Sequence, residues 1–91
     1  MRPVRCAIVG LGNVARTHFQ ALAALPELFL LCAVCDADAD RLSAAPLGIR
    51  TYTDLEELLR NERPELLILC TPSGMHAEQG MLAARHGCHL L

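Results

Sequence analysis

Apolar positions fall in short continuous runs separated by polar, glycine-bearing or proline-bearing stretches, and the runs alternate between strand-like and helix-like patterns. Val4 to Val9 is a mostly apolar run ending at Gly10, the pattern of a buried strand. Asn13 to Leu25 then places Val14, His18, Ala21, Leu22 and Leu25 on one helical stripe, and Pro26 closes it. Phe29 to Cys35 reads as a second strand, ended by Asp36. Asp38 to Ala45 is a short, alanine-rich helix stopped by Pro46 and Gly48, and Ile49 to Tyr52 predicts a short third strand.

The alternation continues in the second half. Thr53 and Glu56 have capping-box spacing, in which each residue satisfies the other's free amide, and Leu55, Leu58 and Leu59 give the following helix its buried face. Leu66 to Cys70 is a fourth strand, continuous enough to be covered on both sides. Gly74 to His86 predicts a helix with Ala77, Gly80, Met81 and Ala84 inward and Gly87 as its C-cap. Cys88 to Leu91 begins a fifth strand. Strands alternating with helices over short connections mean βαβ units on a parallel sheet. The expected fold class is therefore α/β, a Rossmann-type doubly wound parallel sheet. Its complete form has strand order 3-2-1-4-5-6, and this chain is expected to stop at about the fifth strand.

Composition narrows the classes. Of the 91 residues 53% are apolar and 20% charged, with a formal net charge of −2. That balance excludes a disordered chain and offers no basic surface to nucleic acid or an anionic membrane. The longest unbroken apolar run, Leu28 to Cys35, has eight residues, against the ~20 of a membrane-crossing helix. Five cysteines, Cys6, Cys32, Cys35, Cys70 and Cys88, are an odd number that cannot pair completely within one chain. Cys32 and Cys35 form a C-x-x-C, but residues three apart on a strand point to opposite faces. Buried reduced thiols are expected rather than zinc or a redox pair, which suggests a cytoplasmic chain. No histidine, cysteine or carboxylate set has metal-ligand spacing, so no metal is expected.

Gly10-Leu11-Gly12-Asn13-Val14-Ala15 is a G-x-G-x-x-A placed between a predicted buried strand and a predicted helix. In that context Gly10 allows a tight turn, Gly12 leaves room for a pyrophosphate, and Ala15 lets helix and strand approach. The phosphates would meet free amides at the helix start, near Asn13 and Val14. Asp36 ends the second strand, 26 residues after Gly10, against a usual interval of about 20. A carboxylate there can accept from the adenosine ribose hydroxyls and would repel a 2′-phosphate, which favours NAD over NADP. The plainer role is a strand-end aspartate opening the turn Asp36-Ala37-Asp38. Arg41 has two roles open to it, next to an adenine or offsetting Asp36, and solvated on its short helix.

The fourth strand ends in Cys70-Thr71-Pro72-Ser73-Gly74-Met75-His76, at the sheet edge that borders the ligand crevice in this fold. Thr71 can bond a ribose, Pro72 fixes the turn, Ser73 is the expected N-cap of the next helix, and Met75 can cover an apolar cofactor face. His76 can either orient a ribose or substrate hydroxyl or hold the loop. His18 reads as a packing residue on its helix.

On these residues the chain resembles the N-terminal half of the Gfo/Idh/MocA (glucose-fructose oxidoreductase/inositol dehydrogenase) family. The resemblance is carried by Ala7 to Ala15, Ala33 to Asp36, Tyr52 to Leu59, Leu69 to Gln79 and Ala83 to Leu91, in order over nearly the whole chain. The stretch Thr71-Pro72-Ser73-Gly74-Met75-His76-Ala77-Glu78-Gln79 is far more discriminating than the glycine turn. What the resemblance implies is the nucleotide-binding part of an oxidoreductase that moves hydride between a nicotinamide dinucleotide and a sugar, cyclitol or related diol. It also implies a C-terminal substrate domain that often builds a homo-oligomer. The family's Glu-Lys-Pro signature would follow the fifth strand; the eight basic residues here are all arginine, so no catalytic residue is expected within this chain. Residues 1–91 are accordingly expected to be an incomplete N-terminal dinucleotide-binding domain that does not turn over alone and that associates through its open sheet edge. Two other readings fit the same residues: a nucleotide-binding or redox-sensing module without catalysis, and a domain keeping the architecture only for structure.

Overall fold

In the computed structural model, which describes residues 2–91, β1 (Val4–Val9) is the central strand of a five-stranded sheet. The other strands are β2 (Phe29–Cys35), β3 (Arg50–Tyr52), β4 (Leu66–Leu69) and β5 (His89–Leu90). They lie in the order β3-β2-β1-β4-β5, every pair parallel. This is the expected order, and the chain reverses its direction of winding between β1 and β4. Three helices cross over between strands: α1 (Asn13–Ala23), α2 (Leu55–Glu62) and α3 (His76–Arg85). Two short 3-10 turns, Ala39–Ala44 and Ser73–Met75, stand where continuous helix was expected.

The sheet is covered on both sides, which is why its strands lack polar alternation. On one face Ile8, Val34 and Ile68 pack under α1 through Ala15, Phe19 and Leu22, with Leu42 of the first 3-10 turn. On the other, Ala7, Val9, Cys35 and Leu67 pack under Leu55, Leu58 and Leu59 of α2 and Ala83 of α3. The α2 stripe is as expected. In α1 and α3 the buried stripe is rotated: Val14 is 60% and Met81 61% exposed, Ala21, Ala77 and Ala84 also face out, and Phe19, Leu82 and Ala83 turn in. Ala15, 1% exposed, sets the α1 face because it is where the helix touches the sheet. Leu25 lies beyond α1, its carbonyl accepting from the amides of Leu28 and Phe29.

The ends of the helices differ from expectation in two places. The N-cap of α2 is Asp54, with no side-chain bond, so Thr53 and Glu56 make no capping box; the helix opens one residue late for that spacing. Ser73 is not an N-cap either, because extended Pro72 takes the capping position and its carbonyl accepts from Met75 N at 2.9 Å. Gly87 does close α3. At φ +70° it lets its own amide reach Ala84 O and the Cys88 amide reach Ala83 O, each 3.0 Å.

A bulge in β2 corrects the reading of the cysteine pair. Cys6 of β1 pairs with Leu31 and Ala7 with Ala33, so Cys32 is skipped. The skip breaks alternation and puts Cys32 and Cys35 on one face rather than two. All five thiols are free, and Cys32 Sγ donates to Cys6 O at 3.2 Å. Burial pushes the Cys35 thiol up to about 12 and Cys88 to about 11, from an ordinary 9.0. The unfolded chain releases these protons near pH 9 and the folded chain does not, so stability held below pH 9 is lost as pH rises through about 11 to 12. The urea midpoint is expected to fall steadily above pH 9; a midpoint flat to pH 11 would contradict the burial of both thiols.

Glu62 was not anticipated. It is 7% exposed, and Tyr52 Oη donates to its Oε2, with Arg50 Nη1 at 3.3 Å and Arg5 Nη2 at 3.8 Å. That hydrogen bond is the chief reason the Tyr52 phenol sits above its usual range. The one available signal was register, since Glu62 continues the Leu55, Leu58, Leu59 stripe by a helical turn. At β5 the sheet ends with Leu90 46% and Leu91 69% exposed.

Candidate functional site

A cleft of about 640 Å³ opens at the carboxyl ends of β1, β2 and β4, where the strand order reverses. Its floor is the main chain at two strand ends. Cys70 N donates to Val9 O at 2.8 Å, and Gly10 N donates to Cys35 O at 2.8 Å. Gly10 has φ +92°, and a Cβ there would stand 2.7 Å from the Cys70 carbonyl carbon and 2.8 Å from Thr71 N. The glycine is therefore required by contact between β1 and β4 as well as by the turn.

Gly12 differs. Its backbone is extended, φ −78°, and the nearest atom to an added Cβ is Arg41 Nη1 at 3.9 Å. Nothing in the packing of the protein demands a glycine there; what a Cβ would take is open space above the start of α1. Gly12 is the N-cap of that helix and supplies no side-chain acceptor, and the first turn contains no acidic residue. The amides of Asn13 and Val14 are thus left without an intrahelical acceptor, which suits a phosphate.

Asp36 faces this turn. It is 9% exposed; Oδ2 accepts from Leu11 N at 2.8 Å and Oδ1 from Asp38 N at 2.9 Å. The carboxylate opens the Asp36-Ala37-Asp38 turn, the plainer of its two expected roles, and also fastens β2 to the glycine loop, a bond the sequence did not announce. Two of its roughly four lone-pair positions are used, leaving acceptors toward the cleft that Asp36 lines.

Of the remaining residues expected here, Gly10, Gly12, Val14, Arg41, Thr71, Pro72 and Met75 line the cleft. Three do not. Asn13 lines a neighbouring cavity, and exposed Ser73 lines neither. His76 is tied to its own loop: Nε2 lies 2.6 Å from Thr71 O, and because a carbonyl only accepts, that nitrogen carries the proton. Thr71 Oγ1 donates to Gln79 Oε1, so α3 braces this side of the cleft twice. Thr53, Asp54 and Glu78, to which the sequence reading gave no place at the site, also line it. Among the described residues no group of three or more histidines, cysteines and carboxylates could hold a metal ion, and no helix is long and apolar enough to cross a membrane.

Residues 4–91 match the model of a family described as "GFO_IDH_MocA: oxidoreductase family, NAD-binding Rossmann fold". The D-glucoside 3-dehydrogenase of Escherichia coli is 30% identical over 98% of this chain, which covers 26% of that protein. The scyllo-inositol 2-dehydrogenase (NADP(+)) IolU of Bacillus subtilis is 31% identical over 97% of the chain and 27% of its own length. Among solved structures, the WlbA dehydrogenase from Bordetella pertussis, in complex with NADH and UDP-GlcNAcA, superposes with a TM-score of 0.93 at 32% identity, over 98% of this chain and 28% of that one. The chain spans about a quarter of the length of the curated relatives it matches.

Proposed function

The chain belongs to the Gfo/Idh/MocA oxidoreductase family with its NAD-binding Rossmann fold, and on that premise we propose that it holds the dinucleotide of an enzyme oxidising or reducing a sugar, cyclitol or related diol. The observation that carries this reading is the bond from Leu11 N to Asp36, which sets a carboxylate beside a glycine turn whose second glycine the fold itself does not need. In this reading the pyrophosphate lies over Gly12 on the amides of Asn13 and Val14, and Asp36 accepts from the adenosine ribose. Thr71 and Met75 wall the other side. When bound, the oxidised nicotinamide would supply the hydride acceptor for a carbinol carbon, and the reduced form the hydride donor for a carbonyl carbon. The same carboxylate disfavours a 2′-phosphate, so NAD is the preferred cofactor; the complex of WlbA with NADH supports that class of ligand.

The groups that select substrate and move its proton lie, in this reading, outside these residues. His76 spends its Nε2 proton on Thr71 O, and no lysine is present. The sugar and cyclitol substrates in the names of the E. coli and B. subtilis relatives support the substrate class. Calorimetric titration tests the cofactor site. NAD should bind saturably, and Gly12→Ala should weaken it by about tenfold or more while changing stability by at most about 1 kcal/mol. Unaltered NAD binding by Gly12→Ala, or none by the folded parent chain, would sink the proposal.

A further inference from the structure

The buried carboxylate of Glu62 stands outside the lining of the cleft, and stability is a poor reason for its presence. Burial strips its hydration, and as the last residue of α2 it occupies the helix end that disfavours negative charge. Its cations return little. Arg50 and Arg5 lie at 3.3 and 3.8 Å, with side chains 75% and 36% exposed, so water competes for both. An apolar side chain of similar size would fill the place about as stably.

What the carboxylate does hold is β3. Arg50 and Tyr52 are the first and last residues of that three-residue strand, and at a spacing of two their side chains leave the same face. Both end on one atom, Glu62 Oε2, which accepts from Tyr52 Oη and from Arg50 Nη1. The strand is short and stands at the sheet edge, with β2 as its one neighbour; the clamp supplies what a second neighbour would. From there the grip reaches the cleft in two short steps. The Tyr52 carbonyl accepts from Asp36 N at 3.0 Å, so the main chain of Asp36 rests on β3 while its carboxylate rests on the glycine loop. Tyr52 also runs directly into Thr53 and Asp54, which line the cleft. We infer that Glu62 is a positioning residue of the dinucleotide site: by fixing Arg50 and Tyr52 it holds β3, and with it Asp36 and the Thr53-Asp54 wall, where the adenosine half of the cofactor requires them. This rests on the dinucleotide reading above.

The test compares the full chain with its Tyr52→Phe, Glu62→Leu and Glu62→Gln variants by calorimetric titration with NAD and 5′-AMP, urea denaturation and amide hydrogen exchange. Tyr52→Phe, which loses only the hydroxyl, and Glu62→Leu should each weaken both nucleotides by about five- to tenfold. Their urea midpoints should stay within about 0.5 M of the parent's. The Asp36 amide should exchange faster by about tenfold or more, while the amides of β1 and β4 keep their protection. Glu62→Gln should bring NAD binding back to within about twofold. Its carboxamide oxygen still takes Tyr52 and Arg50, and Arg5 Nη1 keeps its 2.6 Å bond to the main-chain carbonyl of that position. Parent-like NAD affinity in folded Tyr52→Phe and Glu62→Leu overturns the inference and leaves the dinucleotide reading standing. So does a Glu62→Gln chain that binds NAD no better than Glu62→Leu. A Glu62→Leu chain that does not fold, or exchange quickened across the whole sheet in step with the urea midpoint, makes the cluster a prop of stability and overturns it too. Failure of the folded parent to bind NAD removes both readings.

Discussion

Asp36→Ala is expected to weaken NAD binding by about ten- to a hundredfold, because hydrogen bonds from ribose hydroxyls to a charged acceptor are each worth about 1.5–3 kcal/mol. The substitution reaches further than the ligand. It strips the acceptor from Leu11 N and from Asp38 N, the first of them buried, and a buried amide without a partner costs about 1–3 kcal/mol. A stability loss of about 2–4 kcal/mol should therefore accompany the binding loss. Asp36→Asn separates the two effects only in part, since a carboxamide has one acceptor oxygen for two amides and turns an N–H toward the other. NADP should suffer less than NAD from either change, because the lost group repels the 2′-phosphate. Titration beside urea denaturation checks all of this. A folded Asp36→Ala protein binding NAD like the parent would remove Asp36 from the site.

The largest loss of stability is expected from Gly10→Ala. The added methyl must sit at 2.7–2.9 Å from the backbone of Cys70 and Thr71, at φ +92°, and neither atom group belongs to a side chain that can swing aside. Left-handed strain adds about 1 kcal/mol to a main-chain overlap that is relieved only by parting β1 from β4. A total of about 3–5 kcal/mol is a large share of the roughly 5–15 kcal/mol available to a domain. The thermal midpoint should fall by about 15 °C or more. Gly74→Ala is the control, with nothing within 4 Å and no positive φ, and should leave the midpoint in place. Equal midpoints for Gly10→Ala and Gly74→Ala would refute the contact.

What was legible in the sequence was whatever a single strong local signal carried. The run Val4 to Val9 before two glycines, the leucines of α2 and the glycine after α3 each have one dominant physical meaning, and strand order followed from them. The faces of α1 and α3 were not legible because apolar residues, alanines above all, are spread around both helices, so the stripe was settled by where Ala15 and Ala83 touch the sheet. The skipped Cys32 in β2 left no local mark, since a bulge depends on the partner strand. Glu62 was hidden for a related reason: a buried glutamate is explained only by Arg5, Arg50 and Tyr52, ten or more residues away in sequence. At the site, the residue types of the cleft could be named from the two motifs. The bond joining Asp36 to Leu11, and the one turning His76 back to Thr71, needed three dimensions.

The two 3-10 turns flank the cleft on opposite sides, one bearing Arg41 and the other Met75. The base between them is pinned main chain to main chain at Val9, Gly10 and Cys70. Adaptation to an occupant is therefore expected at the rims, where 3-10 hydrogen bonds have poorer geometry than those of an α-helix. The strand ends should keep their places, so the two turns would be the adjustable borders of a fixed floor.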